Sequence, residues 1–387
     1  MKKSMIKLAA GAAAVLLMST SAHAGYTMKK KVGDVDTKLT VFGFSQINAE
    51  TGGNIDDASD EAVRFGADRI RLGWKYSAGK VRGKVFLDFN QDAGALGKED
   101  VGMYRVIKDA FISYVVDPGF VVKAGVIKTP VGMGFTIPGW NLDVIKRGFD
   151  KKLAFERGNG LMISGRDMFM GNNGKVDGLE MGHERPWKGF GYDVMIGNQT
   201  TRSGAVKEST GDDARGNAYM ARLHFDYTEL LHSEISYGVS PEASGEADSE
   251  DYKVLNIGLD SHFADGMNIK AEYYDVSGIK GAAEHDMQTL ALTYTAYVTD
   301  SLELAVKSIN GQEDEAGTER DVGNHYMGFT YYPSQVTTDK SRGGKRKNNQ
   351  HSIKLNYVLA TGDSEEFKGA GGIYRDDAVL AMYQFKF

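Results

Sequence analysis

From about residue 38 to the C-terminus, apolar and polar residues alternate with a period of two over short stretches. Ile70, Leu72, Trp74 and Tyr76 alternate with Arg69, Arg71, Gly73 and Lys75. Val81, Gly83, Val85, Leu87 and Phe89 alternate with Arg82, Lys84, Phe86 and Asp88. The same rhythm returns at Tyr219 to Tyr227, at Leu290 to Val298 and at Leu302 to Val306. A two-residue period is that of a β-strand, whose successive side chains point to opposite faces. Here one face suits hydrocarbon and the other suits water. A soluble sandwich alternates too, so the connections have to discriminate. Short turns at Ala78-Gly79-Lys80, Asp117-Pro118-Gly119, Ala264-Asp265-Gly266 and Thr299-Asp300-Ser301 take turns with long polar stretches at 49–68, 91–104, 198–216, 241–251, 311–322 and 361–373. That rhythm is the one of transmembrane β-barrels, with short turns on the periplasmic side and long loops outside.

Counting from a first strand near Lys38 to Asn48 to a last one near Arg375 to Phe387 gives sixteen strands. An even number leaves both ends in the periplasm. The stretch Met168 to Trp187 reads as one long turn or hides a hairpin, and 334–350 is long for a periplasmic turn. The last strand carries an apolar face of Val379, Ala381, Tyr383, Phe385 and Phe387. The fold expected is all-β: a transmembrane antiparallel β-barrel of about sixteen strands, with its third loop, at about 129–158, folded inward.

The N-terminus supports that placement. Lys2, Lys3 and Lys7 precede the uncharged run Leu8 to Met18, and Ala22-His23-Ala24 is a small-x-small cleavage site, so residues 1–24 read as a signal peptide and 25–387 as the barrel. No run is long enough to cross a bilayer as a helix. The chain has 48 Gly, 19 Tyr and 18 Phe but only 6 Pro, which suits many strands with aromatic belts. Its net charge is −6, and −9 without the leader, so nucleic acid is not an expected partner. With no Cys there are no disulfides, thiolate metal sites or covalent haem attachment, and no cofactor is expected.

The charged residues divide by position. Acids gather in the expected outer loops: Asp56, Asp57, Asp60 and Glu61; Glu242, Glu246, Asp248, Glu250 and Asp251; Glu313, Asp314, Glu315, Glu319 and Asp321; Asp363, Glu365 and Glu366. These are solvated loop faces, or sites where divalent cations bridge to lipopolysaccharide phosphates. No loop has the spacing of a calcium-binding loop. The bases Arg69, Arg71, Lys75, Arg82, Lys84, Lys123, Arg166 and Arg222 fall on the water-facing side of their strands. They either form a wall that guides anions or balance luminal acids such as Asp88, Asp109 and Glu303. Between Lys128 and Gly158 the alternation stops. Lys128, Lys146, Arg147, Lys151, Lys152 and Arg157 stand there against Asp143, Asp150 and Glu156, so the segment is at +3. Its Trp140, Leu142, Ile145, Phe149, Leu153 and Phe155 are too apolar for disorder, hence the inward fold. Catalytic signals are poor. His183, His224, His232, His262, His285, His325 and His351 are scattered without H-E-x-x-H or G-x-S-x-G spacing, and neither an enzyme nor a metal site is expected.

Some of these segments resemble a known family. Lys123-Ala124-Gly125-Val126-Ile127-Lys128-Thr129-Pro130, followed by Leu153-Ala154-Phe155-Glu156-Arg157 and Gly160-Leu161-Met162-Ile163-Ser164-Gly165, resembles the phosphate-selective porin O and P family. Tyr192 to Asn198 and Asp376-Asp377 to Phe387 look similar as well. The resemblance implies a sixteen-stranded Gram-negative outer-membrane barrel, commonly a homotrimer, that passes anions through a basic constriction. The sequence departs from the pattern at Met133-Gly134-Phe135, where members often place an acid soon after the Pro, so the match speaks for porin more than for phosphate. The expectation is passive diffusion of small hydrophilic solutes with a preference for anions, phosphate or other oxyanions among them. General-diffusion porins, with a similar entry to the third loop, and a structural or receptor barrel with acidic surface loops are the alternatives. The partners expected are outer-membrane lipid and lipopolysaccharide, solute anions and two further copies of the chain.

Overall fold

The computed structural model describes residues 25–53, 62–90, 106–148, 153–168, 188–198, 216–227, 230–241, 250–333, 349–364 and 374–387. The expected signal peptide, Lys151 and Lys152, the choice between turn and hairpin at 169–187, most of 334–350 and the centres of five expected outer loops lie outside them.

Among the described residues seventeen strands follow one another. They are β1 (Tyr26–Val32), β2 (Val35–Gly52), β3 (Arg64–Ala78), β4 (Val81–Asp88), β5 (Ile107–Asp117), β6 (Phe120–Lys128), β7 (Arg157–Met168), β8 (Lys188–Gly197) and β9 (Ala218–Tyr227). Then come β10 (Leu231–Ser240), β11 (Tyr252–Ala264), β12 (Met267–Ser277), β13 (His285–Thr299), β14 (Leu302–Glu315), β15 (Thr318–Tyr331), β16 (His351–Gly362) and β17 (Ala378–Lys386). Each of β2 to β17 pairs antiparallel with its sequence neighbours, and β17 returns to β2, Ala378 opposite Gly52 and Lys386 opposite Phe44. The sheet is therefore a closed barrel of sixteen strands. Closure leaves no edge and satisfies every ladder hydrogen bond within the wall, the condition for a sheet in hydrocarbon.

The strand count and the facing of side chains agree with the alternation in the sequence. Leu292 is 47% exposed on the outside while the next residue, Thr293, is 6% exposed inside. Ile70, Val85, Leu223, Leu290 and Val306 all face outward. The short turns are built from local hydrogen bonds. Asp117 Oδ1 accepts from the backbone N–H of Gly119 at 2.7 Å, and Thr299 Oγ1 accepts from Ser301 at 3.2 Å, as Asx- and Ser/Thr-type turns do.

Two expectations need correction. The polar stretch 311–322 is not a loop: β14 and β15 continue to a two-residue turn at Ala316-Gly317, with Glu313 opposite Arg320. Arg320 reaches Glu313 at 3.3 Å and Glu315 at 3.0 Å, so cross-strand ion pairs carry the ladder beyond the apolar belt. The second concerns the N-terminus, where β1 forms a hairpin with the start of β2 that the alternation did not announce. All seven of its residues are exposed, so it has no buried face to leave a pattern.

Between β6 and β7 the chain crosses the interior. It contains one helical turn, Met133–Thr136, and a 3-10 turn, Gly139–Asn141. Its backbone is held by inward side chains of the far wall. The N–H groups of Gly132, Met133 and Gly134 donate to Ser236, Asn256 and Glu272, and that of Ile145 donates to Asn356. Its apolar side chains Val131, Phe135, Ile145, Leu153 and Phe155 are buried, each such burial contributing about 1.5–3 kcal/mol. Two inward glycines make room. A Cβ on Gly238 would stand 2.2 Å from the Phe155 ring, and one on Gly258 would stand 2.7 Å from Met133 Cβ.

Candidate luminal site

With the inner segment seated on β10, β11, β12 and β16, the space that remains lies against the opposite wall. A cavity of about 230 Å³ opens there. Strands β3 to β7 furnish Arg69, Arg71, Lys84, Lys108, Lys123 and Arg157, and the inner segment faces them with Pro138, Gly139, Trp140 and Arg147. Lys128 lies where β6 runs into the segment. The lining holds eight Lys or Arg against the four acids Asp68, Asp88, Asp109 and Glu156, an excess of positive charge in a chain whose total is negative.

The cations are held at their bases. Asp109 accepts from Lys84 at 2.8 Å and from Arg157 at 2.9 Å, one oxygen each. Asp88 accepts from Arg71 Nε at 2.9 Å and has Lys108 at 3.8 Å. Arg69 donates to Gln46 Oε1 at 2.6 Å. Aromatic rings support the rest: Lys123 lies 5.0 Å from the centre of Phe111, Lys128 4.7 Å from Phe135 and Arg71 5.6 Å from both Phe44 and Phe86. Such contacts fix ammonium and guanidinium groups without neutralising them.

Two β-bulges shape this wall. The register between β2 and β3 skips from Gln46/Arg69 to Ile47/Ala67, leaving Asp68 as the extra residue. That between β4 and β5 skips from Phe86/Asp109 to Leu87/Ile107, leaving Lys108 extra. A bulge puts two successive residues on one side. Asp68 joins Arg69 in the cavity lining, and Lys108 joins Asp109. Lys108 was missed in the sequence because strict alternation sends it to lipid. The signal available was the cost of a lysine there, about 2–4 kcal/mol at mid-membrane, which flags a break in register.

The sequence candidates thus divide. Arg69, Arg71, Lys84, Lys123, Lys128, Arg147 and Arg157 come together around the cavity. Arg147 is turned partly inward, its guanidinium donating to the carbonyls of Gly134 and Ile137 and so clasping the inner segment on itself. Lys146 points to Asp68 at 2.6 Å and Glu50 at 3.7 Å. Lys75 lies over the Phe42 ring, outside the cavity lining, and Arg82 turns to the carbonyls of Gly79 and Val81 at the short β3–β4 turn. Arg222 belongs to a different cluster, with Asp193 at 2.6 Å and Glu234 at 3.0 Å. Of the luminal acids named from sequence, Glu303 is buried and accepts from the Tyr332 hydroxyl at 2.9 Å.

Comparison with known proteins defines a class through the fold. The OmpF porin of Salmonella typhi, solved with daunomycin, superposes with a TM-score of 0.63 at 12% identity over 93% of this chain and 100% of that one. The anion-selective porin of Comamonas acidovorans gives 0.58 at 15% identity over 91% and 100%. OmpT, an outer-membrane protein of Vibrio cholerae in its trimer form, gives 0.57 at 11% over 91% and 99%. The chain has the porin fold. No family model and no curated protein matches it, so the likeness to the phosphate-selective porins rests on the segments quoted above.

Proposed function

We propose that this chain is an outer-membrane porin of a Gram-negative bacterium, exported with loss of residues 1–24, that lets small hydrophilic solutes diffuse passively and prefers anions. The observation that carries the reading is the excess of cations around the luminal cavity, set opposite the wall on which the inner segment rests. Charges in a narrow lumen act on every ion that passes, whereas exposed outer acids are screened within about 8 Å at physiological salt. The paired, aromatic-backed cations favour small oxyanions, phosphate among them, that can accept several N–H groups at once. The porin fold and the trimeric state of the Vibrio cholerae OmpT neighbour support a homotrimer in contact with lipid and lipopolysaccharide. The pairing of Asp109 and Asp88 with four of the cations favours a second reading, a general-diffusion pore with a balanced lumen. Planar-bilayer recording separates the two. In a potassium chloride gradient the zero-current potential should take the sign of chloride preference, and phosphate added to one side should reduce the chloride current. A potential at zero selects the general-diffusion pore, and potassium preference removes anion guidance altogether.

A further inference from the structure

Away from the cavity, one group of side chains among the described residues has the composition and spacing of a metal site, His224, Asp226 and His232. It arises directly from strand geometry. Period two turns His224 and Asp226 of β9 inward together, and His232 and Glu234 of β10 likewise. The register then sets His232 opposite Asp226 and Glu234 opposite His224, a two-by-two patch beside the β9–β10 turn.

Within the patch Asp226 stands between the two imidazoles. Its Oδ2 lies 2.6 Å from His224 Nδ1 and its Oδ1 2.7 Å from His232 Nδ1. His232 Nε2 lies 2.9 Å from Glu234 Oε2, and Glu234 is itself held by Arg222 Nη1 at 3.0 Å. The candidate donor atoms of His224, Asp226 and His232 all lie within 4.8 Å of one another. His224 lies against β8, where a Cβ on Gly191 would be 2.3 Å from its ring, so the bare glycine provides the room. His224 Nε2 and Glu234 Oε1 are buried and have no hydrogen-bond partner among the described residues, so the patch is not saturated by its own contacts.

We propose that His224, Asp226 and His232 bind a divalent transition-metal ion of the zinc type, with Glu234 as the carboxylate that orients His232. Two imidazoles and a carboxylate suit zinc, nickel or copper rather than calcium or magnesium, which take oxygen ligands. Ligating histidines commonly donate their second N–H to a carboxylate, which fixes the tautomer. Glu234 stands where it would do this for His232, leaving Nδ1 to face the ion. Ligand atoms on one tetrahedral zinc are roughly 3.3 Å apart, so side-chain rotations on the order of 1 Å gather the three donors. The ion takes the Nδ1 position of both rings: each histidine keeps one proton, on Nε2, and any second proton leaves to solvent. The site ties β9 to β10 and is separate from the cation-lined cavity, so it stands or falls independently of anion preference.

The competing state is a closed ion-pair set in which His232 donates both N–H groups to Asp226 and Glu234. Zinc titration by calorimetry on the full-length, chelator-stripped barrel in detergent decides between them. Wild type should take up one Zn²⁺ per chain, calcium should not compete, and His224→Gln with His232→Gln should weaken binding by at least about ten-fold. Glu313→Gln at the far hairpin should leave it unchanged. Where the double variant fails to fold, modification of the wild type by diethylpyrocarbonate, mapped by mass spectrometry, gives a second reading. Zinc should protect His224 and His232 and not His351. Absence of zinc uptake, equal uptake by wild type and double variant, or no protection would overturn the site.

Discussion

Two stretches of the same barrel wall carry inward arginines and acids, yet they are built to different ends. On β3 to β7 the cations outnumber the acids and open onto a cavity. On β7 to β10, Asp193 is enclosed by Arg166 at 2.8 Å and Arg222 at 2.6 Å, with Ser164 donating at 2.6 Å, and its side chain is fully buried. Alternation and residue type are alike in the two. The difference is whether opposite charges meet in equal number at contact distance, and whether the inner segment leaves space in front of them. On the proposed reading, an arginine inside this barrel is therefore a permeation element on one side and a strut on the other.

That contrast can be tested from its strongest consequence downward. Arg222→Ala should cost about 3–5 kcal/mol, because it removes the one guanidinium shared by two buried carboxylates, leaving Asp193 to Arg166 and Ser164 and Glu234 to His232. Urea unfolding followed by loss of heat-modifiable migration measures it, and Arg69→Ala, beside the cavity, should cost far less. A loss as large at Arg69 would mean that both walls are struts. Next, Leu223→Arg should cost about 2–4 kcal/mol in the same assay, although an arginine already sits one residue away at 222, because position 223 faces lipid. Near-zero cost would place Leu223 inside and shift the register by one.

Permeation effects come below these. Replacing Arg69, Lys108 and Lys123 together by Gln should move the zero-current potential toward cation preference with little loss of stability. Lys146→Gln should move it less, since that ammonium already lies between Asp68 and Glu50. The smallest effect is expected from neutralising Glu313, Asp314 and Glu315, whose hairpin runs beyond the cavity lining. A larger shift from this hairpin than from the wall would transfer selectivity to the outer surface.

How much of this was legible in the sequence follows from what each feature imprints there. Facing of side chains is imprinted residue by residue, so Ile70, Leu223 and Leu292 could be assigned outward directly. Bulges are not imprinted by alternation, because a single extra residue looks like noise. Asp68 could have been read from its clash with Arg69, and Lys108 from a lysine set against lipid. The crossing segment betrayed itself by apolar residues without period, but not which wall it would rest on. That choice depends on Gly238 and Gly258, two missing side chains far along the chain, which only pairing brings opposite Phe155 and Met133. The histidine patch was invisible for a similar reason: His224 and His232 are eight positions apart, and only the antiparallel register of β9 with β10 makes them neighbours.

The exposed N-terminal hairpin also bears on how the wall closes. β1 occupies the edge of β2 from Val35 to Val41, and Phe387 exchanges both backbone hydrogen bonds with Gly43 at 3.0 Å. Only Phe42 separates the two tenants of that edge. A slip of β17 by two residues toward the hairpin, which would preserve inward and outward facing and so escape any penalty from lipid, would drive Phe387 into the place of Tyr26. The hairpin thus acts as a doorstop: it blocks two-residue slips in its own direction, which hydrophobic patterning cannot detect, and with them barrels of altered stagger and girth.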